Sequence, residues 1–187
     1  MNPPPLTQRF ARAVQRARQI HDGDTRRGSE IPYLAHLLGV AALVLDDGGS
    51  EDEAIAALLH DTVEDHADRI SFQDVEKEFG PAVTRIVEAC TEPRRPEGTW
   101  RAGKQGYIDH IGNAPLEARR VIMADKLDNI RSLVAGLERW GELYWSRFRS
   151  PTKDDLLWYH RALKEALSDW PQSPMHAEFN RLVAPLA

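Results

Sequence analysis

The stretch Leu34–Leu45 (LAHLLGVAALVL) places apolar side chains on every face of a helix and carries one ionisable group, His36. A helix that is apolar all round belongs in the middle of a fold, so the rest of the chain has to surround it. The surrounding segments also read as helix. Leu6–His21 is amphipathic and ends near Gly23, and Asp46-Asp47-Gly48-Gly49 stops the apolar helix. Ser50 and Glu53 form a capping box that opens a helix through Glu51–Asp65. Ser71 with Asp74 opens another, Gly80 stops it, and Pro81 suits the first turn of the next, which runs to about Thr91. Glu92–Gly98 is a loop, because two prolines and a glycine in that run forbid a continuous helix. Further helices are expected at about Trp100–Ile111, Pro115–Leu137, Thr152–Ser168 and Pro174–Val183. With no convincing period-two alternation, the expected fold class is all-α, a compact helical bundle. The whole of residues 1–187 reads as a single domain, with a motif-bearing core over about 8–135 and C-terminal helices over about 136–187.

The apolar helices carry polar residues in places that ask for a reason. Ala54–Leu59 runs straight into His60-Asp61-Thr62-Val63-Glu64-Asp65. Helical spacing stacks His60 over Glu64 and Asp61 over Asp65, roughly 5–6 Å between Cβ atoms. On Pro115–Leu137 one apolar row is Met123, Leu127, Ile130, Val134 and Leu137. A second row, Ala118, Ile122, Asp125, Asn129 and Leu133, is interrupted by Asp125 and Asn129. A buried, unpaired carboxylate costs several kcal/mol, and few basic residues stand nearby in sequence to serve all of these acids. One divalent cation would serve them together. Imidazole nitrogen with carboxylate oxygen suits Mn²⁺, Fe²⁺ or Zn²⁺, and the candidate ligands are His36, His60, Asp61 and Asp125.

Charge and cysteine content narrow the classes further. A formal net charge of −5 with pI near 5.8 argues against a nucleic-acid polymer or an anionic membrane as partner. A small phosphorylated ligand needs only a local basic patch. One cysteine excludes an internal disulfide framework and a cysteine-based zinc site. The opening MNPPPLTQRF lacks the pattern of a signal peptide, and no apolar run approaches the roughly 20 residues that span a bilayer. A cytoplasmic protein is expected.

Taken in order, His36, His60-Asp61 and Asp125 resemble the H…HD…D pattern of the HD superfamily of metal-dependent phosphohydrolases. Ile31-Pro32-Tyr33-Leu34-Ala35-His36 is similar to the "PYI-x-H" stretch of the RelA/SpoT-type hydrolase domain and of stand-alone small alarmone hydrolases. Leu58–Asp65 (LLHDTVED) resembles "LLHDxxED", Phe79-Gly80 the following "FG", and Ala124–Asn129 (ADKLDN) "AD(K/R)LxN". The chain departs from that branch at Leu37, Gly103 and Asp128, which stand where relatives often have proline, arginine, and histidine or tyrosine.

The resemblance implies a helical bundle with one metal ion, Mn²⁺ by preference, held by His36, His60, Asp61 and Asp125. It implies that Glu64 and Asp65 orient or activate an attacking water, and that Asn129 contacts a nucleotide. Arg26 and Arg27 resemble a basic pair near the guanine base, and Lys104 falls in a stretch that faces phosphates in relatives. The implied reaction is hydrolysis of a small nucleotide, foremost removal of the 3′-diphosphate from (p)ppGpp. Hydrolysis of another nucleotide, such as a nucleoside monophosphate or NADPH, and nucleotide binding without catalysis are the alternatives. Of the remaining side chains, His21, His110, His160 and His176 read as surface residues, and His66 as solvent-exposed. The tryptophans read as core or groove aromatics, and Cys90 as a buried small side chain.

Overall fold

The protein is described by a computed structural model over residues 5–92, 99–148, 151–171 and 173–186. The loop expected at Glu92–Gly98 lies outside the described residues apart from Glu92 itself. In chain order the helices are α1 (Gln8–Ile20), α2 (Leu34–Asp46), α3 (Glu51–Leu59), α4 (Thr62–Asp65), α5 (Phe72–Phe79), α6 (Pro81–Cys90), α7 (Trp100–Ile111), α8 (Leu116–Trp140), α9 (Lys153–Ala166) and α10 (Pro174–Val183). Short 3₁₀ turns follow α8 at Gly141–Arg147 and α10 at Ala184–Leu186. Among the described residues the one extended pairing is an isolated bridge between Thr25 and Pro32.

The helix starts follow local chemistry. The hydroxyls of Ser50, Ser71 and Thr152 each accept the amide three residues on, while Glu53, Asp74 and Asp155 reach back to close capping boxes. Gly80 takes φ +90° between α5 and α6, a conformation closed to most side chains, and Pro81 then opens α6.

Helix α3 is the most buried element: every residue from Glu53 to Leu59 is buried. Helix α2 packs against α3 and α8, α1 covers α3, and α6 fills the angle between α3, α5 and α8. Helices α9 and α10 close the assembly by packing on α7 and α8. Helix α2 is less immersed than its composition predicts. Its buried stripe is His36, Leu37, Val40, Ala41, Leu43 and Val44, while Leu38 is 42% exposed.

One expected helix is broken. Glu51–Asp65 is not continuous: α3 ends at Leu59, and His60-Asp61 form a turn before α4 resumes at Thr62. The side chains at the break compete for the helical acceptors. His60 Nδ1 lies 2.8 Å from the Ala57 carbonyl, and the Thr62 hydroxyl donates to that of Leu59 at 2.6 Å. The turn lets adjacent residues, His60 and Asp61, face the same interior point. No helix among the described residues is long and apolar enough to cross a membrane.

Candidate metal centre and cavity

The elements that carry the polar motif meet at one place. Helix α2 delivers His36 from its first turn, the α3–α4 break delivers His60 and Asp61, and the middle of α8 delivers Asp125. His36 Nε2 lies 3.3 Å from Asp125 Oδ1 and 3.8 Å from Asp61 Oδ2. His60 Nε2 lies 2.9 Å from Asp61 Oδ2 and 3.8 Å from Asp125 Oδ1. Donor atoms of His36, His60 and Asp125 all lie within 4.8 Å of one another, and Asp61 adjoins the group through both imidazoles.

Hydrogen bonds on the far side of each ring decide which nitrogen faces inward. Carbonyl and carboxylate oxygens only accept, so Nδ1 of His60 carries its proton towards the Ala57 carbonyl. Nδ1 of His36 carries its proton towards the Asp128 carboxylate, 2.7 Å away. Both Nε2 lone pairs then point at carboxylate oxygens, and His60 Nε2 is buried with no hydrogen-bond partner. Two lone pairs and two carboxylates at this spacing repel one another unless positive charge, a metal ion or a further ring proton, lies between them. A divalent metal ion fits this donor set, with nitrogen and oxygen ligands and no thiolate.

The electrostatics of the bare side chains show the same demand for positive charge. Burial alone would raise Asp125, but Lys126 and the two imidazoles hold its carboxyl well below the usual range. Burial likewise opposes ionisation of Asp61, and the neighbouring His60 overcomes it. His60 is pushed well above its ordinary value, against its own desolvation, by Asp61 and Asp125. Tyr33, at the start of α2, donates its hydroxyl to Asp61 and is pushed up by burial and by that carboxylate, so it remains a donor.

These groups form the floor of a cavity of about 590 Å³. Glu64 and Asp65 stand on its rim. Both are solvent-accessible, yet partial loss of water on their inner side, reinforced by Asp61, raises both carboxyls above their ordinary values. Glu64 also accepts the backbone N–H of Glu92 at 2.8 Å. Arg26, Arg27, Lys104 and Asn129 all line the cavity. Arg26 is paired with Asp128, and Lys104 with Glu92. Asn129 Nδ2 donates to Asp125 Oδ1 at 2.5 Å.

Several lining residues were not evident in the sequence. Lys126 lies 2.6 Å from Asp125 Oδ2, so Asp125 has a basic neighbour after all, while Oδ1 faces the imidazoles and also accepts from Asn129. Tyr107 of α7 and Tyr159 and His160 of α9 build the opposite wall, and Lys126 sits 5.0 Å from the Tyr107 ring. Tyr144 and Phe148, after α8, form an aromatic end of the cavity with ring centroids 5.3 Å apart. His21, His160 and His176 are buried rather than on the surface, because tertiary packing covers the faces they occupy. His66 is only 14% exposed at its side chain and bonds Asp24 at 2.6 Å. A signal for Tyr33 was present, since it stands in the motif that ends at His36. Nothing local marks Tyr107 or His160.

An all-helical domain whose centre gathers histidine and aspartate from separate helices is the architecture of the HD domain, and the HD-domain family model matches residues 13–142. The chain belongs to the HD-domain family. Among its relatives is the guanosine-3′,5′-bis(diphosphate) 3′-pyrophosphohydrolase MESH1 of Xenopus tropicalis, 38% identical over 124 residues, which cover 65% of this chain and 67% of that protein. The protein of the same name from Drosophila melanogaster is 36% identical over 128 residues, covering 67% and 69%. A solved structure described as a metazoan ortholog of SpoT that hydrolyzes ppGpp superposes with TM-score 0.78 at 26% identity, over 96% of both chains.

Proposed function

We propose that this protein is a metal-dependent phosphohydrolase that removes the 3′-diphosphate of guanosine 3′,5′-bis(diphosphate), in a single domain formed by the whole of residues 1–187 and acting in the cytoplasm. The observation that carries this reading is the convergence of His36, His60, Asp61 and Asp125 on the floor of a cavity with a carboxylate pair on its rim and basic residues on its walls. The named activity of the MESH1 relatives supports the choice of substrate.

In this reading His36, His60, Asp61 and Asp125 hold the metal, with Mn²⁺ the proposed ion. When bound, a divalent cation polarises a phosphoryl oxygen and acidifies water. Glu64 or Asp65 takes the proton of the attacking water, and a raised carboxyl pKa makes either a stronger base than an ordinary carboxylate. The water oxygen attacks the phosphorus attached to the 3′ oxygen, the 3′ O–P bond breaks, and the proton passes to a departing oxygen. The products are guanosine 5′-diphosphate and pyrophosphate.

Arg26, Arg27 and Lys104 steady the phosphate charge, and Asn129 orients the nucleotide. The cavity suits a nucleotide in volume and in pairing an aromatic end with a charged one. The test is to incubate Mn²⁺-loaded protein with ppGpp, NADPH and nucleoside monophosphates. Pyrophosphate release from ppGpp is expected, and His60→Ala and Asp61→Ala should abolish it together with metal retention. Orthophosphate release from the other nucleotides with ppGpp untouched would overturn the substrate. Full activity in either variant would overturn the site.

A further inference from the structure

His36 and His60 are oriented in different ways. His60 uses a backbone carbonyl of its own helix, whereas His36 depends on a side chain from α8, 92 residues away. That side chain, Asp128, is itself built into place. The Arg26 guanidinium pairs with the same Oδ2 that faces His36 and also lies 3.4 Å from the Asp128 carbonyl. Opposite, Gly39 stands one turn after His36, and a Cβ there would lie 2.7 Å from Asp128 Oδ1 and 3.4 Å from its Cγ. Glycine is a weak former in the middle of a helix. Its use at position 39 makes room for this carboxylate. We propose that Asp128 is a positioning residue of the metal centre: held by Arg26 and accommodated by Gly39, its carboxylate accepts the Nδ1–H hydrogen bond of His36 and keeps the Nε2 lone pair on the cavity.

The arrangement has a further effect. Arg26 belongs to a turn fixed by the Thr25–Pro32 bridge and by its own N–H bond to Ile31 O at 2.8 Å, so Asp128 ties this turn to the ligand-bearing helix. Arg27, on the cavity rim, rides on the same turn. Arg26 thus serves the centre through Asp128, whatever it adds to substrate binding. The inference rests on the reading of His36 as a metal ligand.

The experiment compares wild type with Asp128→Ala and Gly39→Ala. Mn²⁺ affinity is read by competition with a chromophoric chelator. The His36 tautomer is read in metal-free protein by long-range ¹H–¹⁵N NMR at alkaline pH, where the ring is neutral even though Asp125 and Asp128 push its pKa up, and thermal midpoints are recorded alongside. Outer partners of ligating histidines typically carry 10–100-fold in metal affinity, so Asp128→Ala should weaken Mn²⁺ by about that factor and leave His36 in mixed tautomers. Gly39→Ala retains every charge and favours helix, so it should weaken Mn²⁺ and shift the His36 resonances without lowering the thermal midpoint. A purely structural role would lower the midpoint and leave the tautomer alone, which would overturn the proposal. So would wild-type affinity and a wild-type His36 tautomer in both variants. If wild type itself failed to bind Mn²⁺, the metal reading would fall, while the metal-free tautomer comparison would still decide the role of Asp128.

Discussion

Removing Arg120 tests how the helices that carry the candidate ligands are held together. Arg120 lies on α8 and pairs with Glu53 at the start of α3 and with Asp47 just past α2, the latter at 3.1 Å. It therefore ties together the helices that deliver His36, His60 and Asp125. The side chains are 19% exposed for Arg120, 6% for Asp47 and 5% for Glu53, so solvent screens the cluster little. Arg120→Met keeps much of the packing against Trp170, whose ring is 5.9 Å from the guanidinium, but leaves two carboxylates buried without their cation. Breaking a buried pair by deleting one partner typically costs about 3–5 kcal/mol. At about 2–4 °C per kcal/mol for a chain of this size, the midpoint should fall by about 6–20 °C. Urea titration followed by circular dichroism measures the loss directly. Adding Glu53→Gln and Asp47→Asn should restore more than half of it, because Gln retains an oxygen for the Ser50 N–H that Glu53 accepts at 2.7 Å. A loss under about 1 kcal/mol, the value of an exposed pair, would refute the argument.

Gly136→Ala places a methyl carbon 2.5 Å from Tyr144 Cε1, so the ring must move out of the cavity wall. We expect overpacking to cost about 1–3 kcal/mol and KM to rise more than kcat falls, and unchanged steady-state kinetics would contradict it. His160 is buried and its pKa is lowered by desolvation, so below about 6.5 the unfolded chain binds a proton that the folded one refuses. Stability should therefore fall as pH drops from 7 to 5, and His160→Gln should flatten that slope in denaturant titrations. Burial pushes the Cys90 thiol up, leaving little thiolate. Iodoacetamide at pH 8 should label it slowly in the native protein and rapidly in urea, and equal rates would place Cys90 at the surface.

The candidate ligands His36 and Asp125 were legible because each breaks a pattern that burial otherwise enforces. His36 is the single ionisable group in the apolar run Leu34–Leu45, and Asp125 interrupts an apolar row on α8. Helix ends were legible too, since Ser50, Ser71 and Thr152 act on amides within three residues of themselves. Such signals are local, and local chemistry survives in a sequence read without its fold.

Only tertiary structure decided the rest. A continuous helix through Glu51–Asp65 satisfied every local rule, yet the chain breaks at His60-Asp61, where both side chains face the interior of a packed domain. The burial of His160 and the role of Tyr107 in the cavity wall depend on α7 and α9 folding back over α8. Asp128 looked like a departure from a motif. Its meaning came from Arg26, 102 residues away, and His36, 92 away. Sequence by itself marked His36, His60, Asp61 and Asp125 as candidate ligands, because unpaired buried charge is costly in any fold. Which partners orient those residues was left to the fold, because hydrogen bonds between distant segments leave no periodic trace along the chain.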